Sequence, residues 1–402
     1  MPEQVDLLVT GAAEVLTCAA DAPDLIGSTS GGVAVRDGRI LAVGDVTRFQ
    51  GDVTIDATGK VALPGFVDAH THVVFGGSRV EEYAAGVAGL PMPAAAPQGI
   101  TGTRDLTRSL PVDDLVGQAT PRLREMLAHG TTTVESKTGY GLDVAAEARL
   151  LEANRRLDRT LPVDLVSTYL AAHAFPPEVS RDTWVEQILR QLPQVAAQGL
   201  ARFNDVYCDE GYFDRTQTRR ILETGLEYGL RAKLHLDAYS HTGAADLAIE
   251  LGAVSVDHLN YTTDDEIARL AEAGVPGVYL PCLELAVGHP RPLPARHVAE
   301  LGMELALATD VCPGCWVTSM PLTVAMACRL GGLSVPQAIR AATHGAARAL
   351  GAQDTVGSLV VGHRADIVLL DLPSHEDLAY RIGADCVDTV IKSGRIVKET
   401  TR

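Results

Sequence analysis

Short apolar, β-branched runs alternate with helical segments through the middle of this 402-residue chain. In the helical segments, such as 144–157 and 179–198, apolar residues recur every three or four positions, which is the spacing that buries one face of a helix. Strand-like runs occupy residues 65–75, 131–136, 164–173, 203–209, 231–237, 253–259, 275–281 and 304–310. Eight strands alternating with helices predict a (β/α)8 TIM barrel. The alternative is a doubly wound open sheet, which usually carries a glycine-rich phosphate loop that is not present after the first run.

The two ends of the chain have a different pattern. Residues 33–35 and 40–43 are apolar and flank an Asp-Gly pair, and residues 387–392 and 395–397 flank a Ser-Gly pair. Both arrangements predict β-hairpins. We therefore predict a small β domain built from both termini, residues 1–62 plus 351–402, and a (β/α)8 barrel over residues 63–350. The alternative is that each end decorates the barrel separately.

Polar residues with reactive side chains lie at the ends of most predicted barrel strands. His70 and His72 lie two positions apart and therefore point to the same side of a strand. The C-terminal ends of barrel strands meet at one mouth, where catalysis takes place. The other residues of this kind are Glu135, Lys137, Tyr140, His173, Asp205, Asp209, Glu210, His235, Asp257, His258 and Asp310.

A metal site explains this convergence better than a set of packed core histidines. We predict His70, His72, His235 and Asp310 as ligands, because three imidazoles and one carboxylate suit Zn²⁺ or Fe²⁺ better than Mg²⁺ or Ca²⁺. A water on such an ion becomes acidic enough to act as a nucleophile, with Asp310 as its catalytic proton acceptor. His258 is the second catalytic candidate, for oxyanion stabilisation or proton transfer, and a structural role is its alternative.

Lys137 and the pair Cys312–Cys315 each allow two interpretations. A carbamylated Lys137 would bridge a second metal, but no second full ligand set is evident, so we prefer a salt-bridged structural lysine and one divalent ion per chain. Cys312 and Cys315 have the spacing of a redox or zinc pair. Without a second cysteine pair of fitting spacing, we interpret them as a tight turn after the last barrel strand.

The composition limits the classes of binding partner and the cellular location that we expect for this protein. Asp plus Glu number 51 against 34 Lys plus Arg, a net charge of -17, which argues against nucleic acid or an anionic membrane as the main partner. Seven scattered cysteines do not form a disulfide framework. The acidic start lacks the features of a signal peptide, and no apolar run is long enough to span a bilayer. We therefore expect a cytoplasmic protein that acts on a small molecule.

Five stretches of the chain resemble the amidohydrolase superfamily and, within it, the imidazolonepropionases of histidine degradation. They are residues 68–79 (DAHTHVVFGGSR), 130–142 (GTTTVESKTGYGL), 171–174 (AAHA), 205–213 (DVYCDEGYF) and 253–259 (AVSVDHL). The resemblance implies a barrel with a β-sandwich from both termini, the same four metal ligands, and substrate contacts from Arg79, Tyr140 and His173. Arg79 would bind a propionate carboxylate. A homodimer is an expectation from the resemblance alone.

The implied reaction is hydrolytic opening of 4-imidazolone-5-propionate to N-formimidoyl-glutamate. The chain departs from the family pattern at Ala238, where the family has a glutamate that contacts the ring, and at Cys312 and Cys315 in the turn after Asp310. These departures line the substrate side. They leave two alternatives: a hydrolase or deaminase of a related heterocycle, such as a modified imidazolone or hydantoin-like five-membered ring with an acidic side chain, and a catalytically inactive binding or scaffold barrel.

Overall fold

The computed structural model describes residues 2–22, 24–91 and 96–399. Sixteen strands lie in this part of the chain and form two sheets. In chain order they are β1 (Glu3–Leu16), β2 (Ser28–Arg36), β3 (Arg39–Gly44), β4 (Phe49–Asp56), β5 (Val61–Pro64), β6 (Phe66–Asp68), β7 (Thr131–Lys137), β8 (Asp164–Ala172), β9 (Phe203–Cys208), β10 (Arg231–Leu236), β11 (Val256–His258), β12 (Gly277–Tyr279), β13 (Leu305–Leu307), β14 (Ile367–Leu370), β15 (Val387–Lys392) and β16 (Arg395–Glu399).

The central sheet is a parallel barrel. Strands β6 to β13 are neighbours in sequence order, and every pair is parallel. Beyond the ends of β6 and β13 the chain closes the ring, because the Asp310 N–H donates to His70 O (3.1 Å) and the His72 N–H donates to Val311 O (2.9 Å). The Asp68 carboxylate adds a second link by accepting from the Thr309 N–H (3.1 Å) and hydroxyl (2.6 Å). The predicted (β/α)8 barrel is confirmed.

Helices separate the barrel strands and cover the outside. Some of their first turns are capped by side chains, as at α4, where Asp143 accepts from the N–H groups of Ala145 and Ala146. The helices are α1 (Val80–Ala88), α2 (Gly99–Arg108), α3 (Val112–Ala128), α4 (Val144–Thr160), α5 (Arg181–Ala197), α6 (Arg215–Glu227), α7 (Ala245–Glu250), α8 (Asp264–Glu272), α9 (Pro281–Val287), α10 (Ala295–Glu300), α11 (Met320–Leu330), α12 (Val335–Arg340), α13 (Ala346–Ala349) and α14 (Glu376–Tyr380), with a π-helical turn at Ala341–Gly345. No helix in the described part of the chain is both long and apolar enough to cross a lipid bilayer.

The second sheet is built from both ends of the chain, as the sequence predicts. Its order is β16-β15-β14-β5-β1-β2-β3, and β4 pairs in parallel with β1. Strand β14 from the C-terminal end pairs antiparallel with β5 from the N-terminal end, which joins the two halves. Because β5 runs to Pro64, this sheet extends two residues past the predicted boundary at residue 62. Leu63, Val368 and Leu370 share a core cluster with Phe66, so this sheet packs against the barrel.

Candidate active site

Three histidines and one aspartate come together at the C-terminal mouth of the barrel. His70 and His72 follow β6, His235 lies near the end of β10, and Asp310 follows β13. These residues belong to strands that are far apart in sequence but end at the same mouth of the barrel. The His70 ring centroid lies 4.6 Å from that of His235 and 5.6 Å from that of His72. All four side chains are buried.

The outer nitrogen of each imidazole contacts an oxygen, which orients the ring. His70 Nδ1 lies 2.7 Å from Asp257 Oδ2, and His235 Nδ1 lies 3.0 Å from Asp205 Oδ2. His72 Nδ1 lies 3.2 Å from the Thr138 carbonyl oxygen. For His70 and His72, a proton on Nδ1 satisfies the neighbouring oxygen and leaves the lone pair of Nε2 free on the inner side. Metal-binding histidines commonly have this arrangement. The Nδ1 of His235 is close to Asp205 but does not have hydrogen-bond geometry.

The inner atoms of the cluster fit a divalent metal ion. His70 Nε2 lies 3.8 Å and His72 Nε2 lies 3.9 Å from Asp310 Oδ1, and ligand atoms of these three residues lie within 4.8 Å of one another. His70 Nε2 and Asp310 Oδ1 are buried without a hydrogen-bond partner among the described residues. Unpartnered buried polar atoms are costly, and a shared cation would satisfy both. Burial also holds the pKa of His70 and His72 well below the usual value, which keeps both imidazoles neutral, as metal binding requires.

Asp310 has an unusual electrostatic environment and an unusual backbone conformation. Burial, together with the nearby carboxyl of Asp68, raises the pKa of Asp310 well above its usual value. Its backbone has φ of 47°, in the left-handed region that a non-glycine residue rarely adopts. This conformation turns the chain out of the strand and directs the carboxylate to the imidazoles. A positive charge at this point would favour the ionised form of the carboxylate.

Beneath the imidazoles, Lys137 pairs with three buried carboxylates. Its Nζ lies 2.7 Å from Asp205 Oδ2, 3.0 Å from Glu135 Oε2 and 3.2 Å from Asp257 Oδ2. Lys233 adds a contact of 3.1 Å to Glu135. These carboxylates more than offset the effect of burial and raise the pKa of Lys137. Lys137 therefore has the geometry of a structural salt bridge that holds the two aspartates against His70 and His235.

The remaining predicted catalytic residue, His258, borders the cluster. Its ring centroid lies 5.1 Å from that of His235 and 5.5 Å from that of His70. The residue adopts φ of 81°, which turns the end of β11 towards the mouth. Burial, followed by the charge of His235, holds the pKa of His258 well below its usual value. A neutral imidazole here is suited to accept or pass on a proton.

Two of the three predicted substrate contacts lie beside the imidazoles. The His173 ring stacks on His72 at 4.9 Å, and its Nδ1 lies 3.1 Å from the Gly139 carbonyl oxygen. Burial, with the neighbouring charge of His235, lowers the pKa of His173 to about 3. The Tyr140 ring lies 5.2 Å from both His72 and His173. Both rings therefore form one wall of the site.

The third predicted contact, Arg79, lies at the edge of the site, and its guanidinium is already paired. Its Nε and Nη2 donate to the two carboxylate oxygens of Glu82 at 2.6 and 2.9 Å. Arg79 also lies within electrostatic range of Tyr140 and Cys312, which places it on the same wall. A substrate carboxylate at this position would bind the Nη1 group or compete with Glu82.

The residues that depart from the family pattern also lie at the mouth. Ala238 is fully buried, and its carbonyl oxygen accepts from His289 Nε2 at 2.9 Å. Cys312 and Cys315 form a tight turn with reciprocal backbone hydrogen bonds of 2.9 and 3.1 Å, as predicted. All seven cysteines of the chain are free thiols. Burial raises the pKa of both turn thiols, which makes them poor nucleophiles.

Sequence reasoning did not assign roles to Asp205, Asp257 and Tyr207. Asp205 and Asp257 orient His235 and His70, and Tyr207 lies with its ring centroid 5.4 Å from that of His235. Their position at strand ends can be read from the sequence. Which residues they contact depends on the register between neighbouring strands, which the sequence does not show. In the sheet His235 is opposite both Tyr207 and Asp257.

Comparison with known proteins agrees with this geometry. Residues 53–116 and 216–397 match models of the amidohydrolase family. The imidazolonepropionase of Halobacterium salinarum is 40% identical over 407 residues, which cover 98% of this chain and 98% of that protein. The imidazolonepropionase of Herpetosiphon aurantiacus is 42% identical over 384 residues, with coverage of 91% and 90%.

Solved structures share the fold at lower identity. An adenosine deaminase from Xanthomonas campestris with bound zinc has a TM-score of 0.74 at 21% identity, covering 98% of this chain and 93% of that one. Atrazine chlorohydrolase TrzN from Arthrobacter aurescens, complexed with zinc and atraton, has a TM-score of 0.76 at 20% identity, with coverage of 98% and 95%. These likenesses show the fold alone. With the two imidazolonepropionases this similar over nearly their whole length, the chain belongs to the imidazolonepropionase family of the amidohydrolases.

Proposed function

We propose that this protein hydrolyses a C–N bond in a cyclic amide, opening the ring of 4-imidazolone-5-propionate to give N-formimidoyl-glutamate. The observation that carries the proposal is the convergence of three imidazoles and Asp310, with His70 Nε2 and Asp310 Oδ1 buried and without a partner among the described residues. The names of the full-length relatives support the same reaction. Hydrolysis of an amide needs an activated water and stabilisation of the developing oxyanion.

We infer that His70, His72, His235 and Asp310 hold one Zn²⁺ or Fe²⁺ ion. Nitrogen-rich sets of this kind suit these ions better than the all-oxygen shells of Mg²⁺ and Ca²⁺. When bound, the ion supplies a Lewis acid for the amide carbonyl and lowers the pKa of a water. The positions of Asp205 and Asp257 on the outer nitrogens would hold His235 and His70 in place during binding.

In the proposed reaction, Asp310 accepts a proton from the attacking water. Its carboxylate lies beside the inner nitrogens of His70 and His72, where it can gain and then return a proton. His258 borders the same space and stabilises the oxyanion or moves the proton to the leaving nitrogen. Water adds to the carbonyl carbon, the ring C–N bond breaks, and the nitrogen takes the proton that the water loses.

Arg79, Tyr140 and His173 are proposed as the substrate contacts. They form one wall of the site, with Tyr140 within 5.2 Å of His72 and His173. Arg79 would bind the propionate carboxylate through the part of its guanidinium that Glu82 does not use. A small molecule with a five-membered ring and an acidic side chain fits this wall. A cytoplasmic location and a homodimer stay predictions.

Ala238 favours a second candidate, a hydrolase or deaminase of a related heterocycle. Alanine neither accepts a proton nor binds a ring N–H, and loss of one such group commonly costs about 10²-fold in rate. The inactive scaffold is disfavoured by the buried unpartnered atoms of the cluster, because a protein that does not bind a cation gains nothing from them.

The testing experiment is the rate of imidazolonepropionate ring opening by protein loaded with Zn²⁺ or Fe²⁺, followed by the loss of ring absorbance. We expect multiple turnovers that stop after chelation and return when the metal is restored. Metal-loaded protein that leaves this ring intact but opens or deaminates another five-membered ring would replace the first candidate with the second. Failure to bind metal at all would revive the scaffold.

A further inference from the structure

Ala238, two residues beyond β10, supplies no polar side chain to the site. Two nearby residues fail to supply one. His241 points away, because its Nε2 lies 2.8 Å from Glu266 Oε2 and its side chain is 47% exposed. Tyr239 packs its ring on His289 at 4.6 Å and is 48% exposed at the rim. A replacement has to come from another strand end.

Tyr207 lies where such a replacement is needed. It is in β9, directly opposite His235 in the sheet register, so both side chains point to the same mouth. Its ring centroid lies 5.4 Å from that of His235, 6.0 Å from His173 and 6.2 Å from His258. The three imidazoles surround its phenol, and only 6% of the residue is exposed.

The ring of Tyr207 is held in place from its other side. Tyr212 stacks on it at 4.1 Å between centroids, with the two planes 27° apart. His258 is nearly parallel to it, at 13°. A ring packed between two neighbours keeps few orientations, so its hydroxyl is presented at one place. Such rigid positioning is what a substrate contact requires.

The Tyr207 side chain interacts electrostatically with Tyr212, Asp209, Tyr239 and Asp310. Burial raises the pKa of Tyr207 well above the usual value, so the hydroxyl keeps its proton and acts as a donor. The geometry therefore places one phenol donor beside the imidazole cluster.

We propose that the Tyr207 hydroxyl donates a hydrogen bond to the heterocycle of the substrate and takes over the ring contact that Ala238 cannot make. The inference rests on the proposed function, since it assigns a further specificity residue to the same reaction. The contact orients the ring against the metal ligands and involves no proton transfer. The ring acceptor is an unprotonated ring nitrogen.

The test compares Tyr207→Phe, which removes only the hydroxyl, with Tyr212→Phe, which removes the hydroxyl of the stacking neighbour. We expect kcat/KM for imidazolonepropionate to fall about 10- to 100-fold in Tyr207→Phe and to change less than about 2-fold in Tyr212→Phe. Metal content and melting temperature should match the parent protein in both. The double variant Tyr207→Phe/Ala238→Glu should recover much of the loss, because it restores a polar side chain next to the ring.

A second readout does not depend on turnover. Imidazole-4-propionate has the ring and the side chain but no hydrolysable carbonyl, and its Kd can be measured by calorimetry. We expect its Kd to rise about 5- to 30-fold in Tyr207→Phe and to stay unchanged in Tyr212→Phe. A parent protein that opens imidazolonepropionate, with an unaltered kcat/KM and Kd in Tyr207→Phe, would overturn this inference and leave the proposed function standing. A parent protein with no turnover would overturn both.

Discussion

At the scale of single residues, one oxygen atom on the outer side of each imidazole decides which nitrogen faces the cluster. Asp257 and the Thr138 carbonyl oxygen hold His70 and His72 through contacts to Nδ1, and the Asp205 carboxylate lies 3.0 Å from His235 Nδ1. A ring held in this way has its Nε2 lone pair free without any rearrangement. The site is therefore organised before a cation arrives, which lowers the cost of binding one.

Replacing His235 tests the ligand set. His235→Ala should lose metal binding and ring opening together, because it removes one of the three nitrogen ligands. Metal content after dialysis and turnover are the measurements. The control is His297→Ala, which removes an exposed histidine paired with Asp264 outside the mouth and should keep both properties. A His235→Ala protein with normal metal content and turnover would remove this residue from the ligand set.

Glu284 is a buried carboxyl that the proposed reaction does not use. Its Oε1 accepts from Asn260 Nδ2 (2.6 Å) and the Leu293 N–H (3.1 Å), while Oε2 has no partner among the described residues. Burial raises its pKa to about 7 from the ordinary value of 4.5. The folded state therefore keeps a proton that the unfolded state loses, so stability falls as pH rises from about 4.5 to about 7 and then levels off.

Glu284→Gln should remove this pH dependence. The melting temperature of the variant relative to the parent should rise between pH 5 and pH 7 and stay constant above pH 8, as measured by thermal unfolding across that range. Glu227→Gln, at an exposed position of α6, is the matched control and should show a flat difference. A flat difference for Glu284→Gln as well would mean that this carboxyl is ionised in the folded protein throughout the range.

At the scale of secondary-structure elements, the region after the first barrel strand differs from expectation. Residues 84–112 predict a long loop, because they are rich in Pro, Gly, Ala and Thr. The structure instead has α1 and α2 there, with residues 92–95 outside the described part of the chain. Helix α2 contains two glycines and three threonines, which are poor helix formers. Tertiary contacts stabilise it, since Arg108 in its last turn donates to the carbonyl oxygens of Gly141 and Leu142 at 3.1 and 2.8 Å.

The charged network below the site connects alternate strands of the barrel. Lys137 in β7 contacts Asp205 in β9 and Asp257 in β11.

Lys137→Met leaves buried carboxylates without their cation, so we expect the free energy of unfolding to drop by about 3–5 kcal/mol. Denaturant unfolding of the metal-free protein measures this loss. Arg219→Met, which breaks exposed pairs with Glu223 and Glu250, should cost about 1 kcal/mol or less. Equal losses in the two variants would argue against the structural role of Lys137.

At the scale of the whole molecule, the two ends of the chain and the barrel share one core. Val368 in β14 lies in the same cluster as Leu63 and Phe66, which lie on either side of the boundary between the sheets. Shared apolar burial couples the two parts, so we expect them to unfold together. The terminal sheet therefore stabilises the barrel on which the site is built.

Val368→Ala tests this coupling. Removing two buried methyl groups should lower the unfolding free energy by about 2 kcal/mol while unfolding stays a single transition. Tryptophan fluorescence reports on the barrel, which contains Trp184 in α5, and far-ultraviolet circular dichroism reports on the whole chain. Val361→Ala, at a position that is 68% exposed, should change stability by less than about 0.5 kcal/mol. Separate transitions from the two probes would show that the terminal sheet folds on its own.

The alternation of strands and helices, the β-rich termini and the location of the cluster residues at strand ends can be predicted from the sequence alone. These features are local, because periodicity and strand ends are readable within about ten residues. The contacts between side chains are visible only in the folded protein. They are Asp257 with His70, Lys137 with three carboxylates, Arg79 with Glu82, and Tyr207 with His235. These pairings depend on barrel register and closure, which are set by hydrogen bonds between strands 30 to 240 residues apart. No local pattern encodes such long-range contacts.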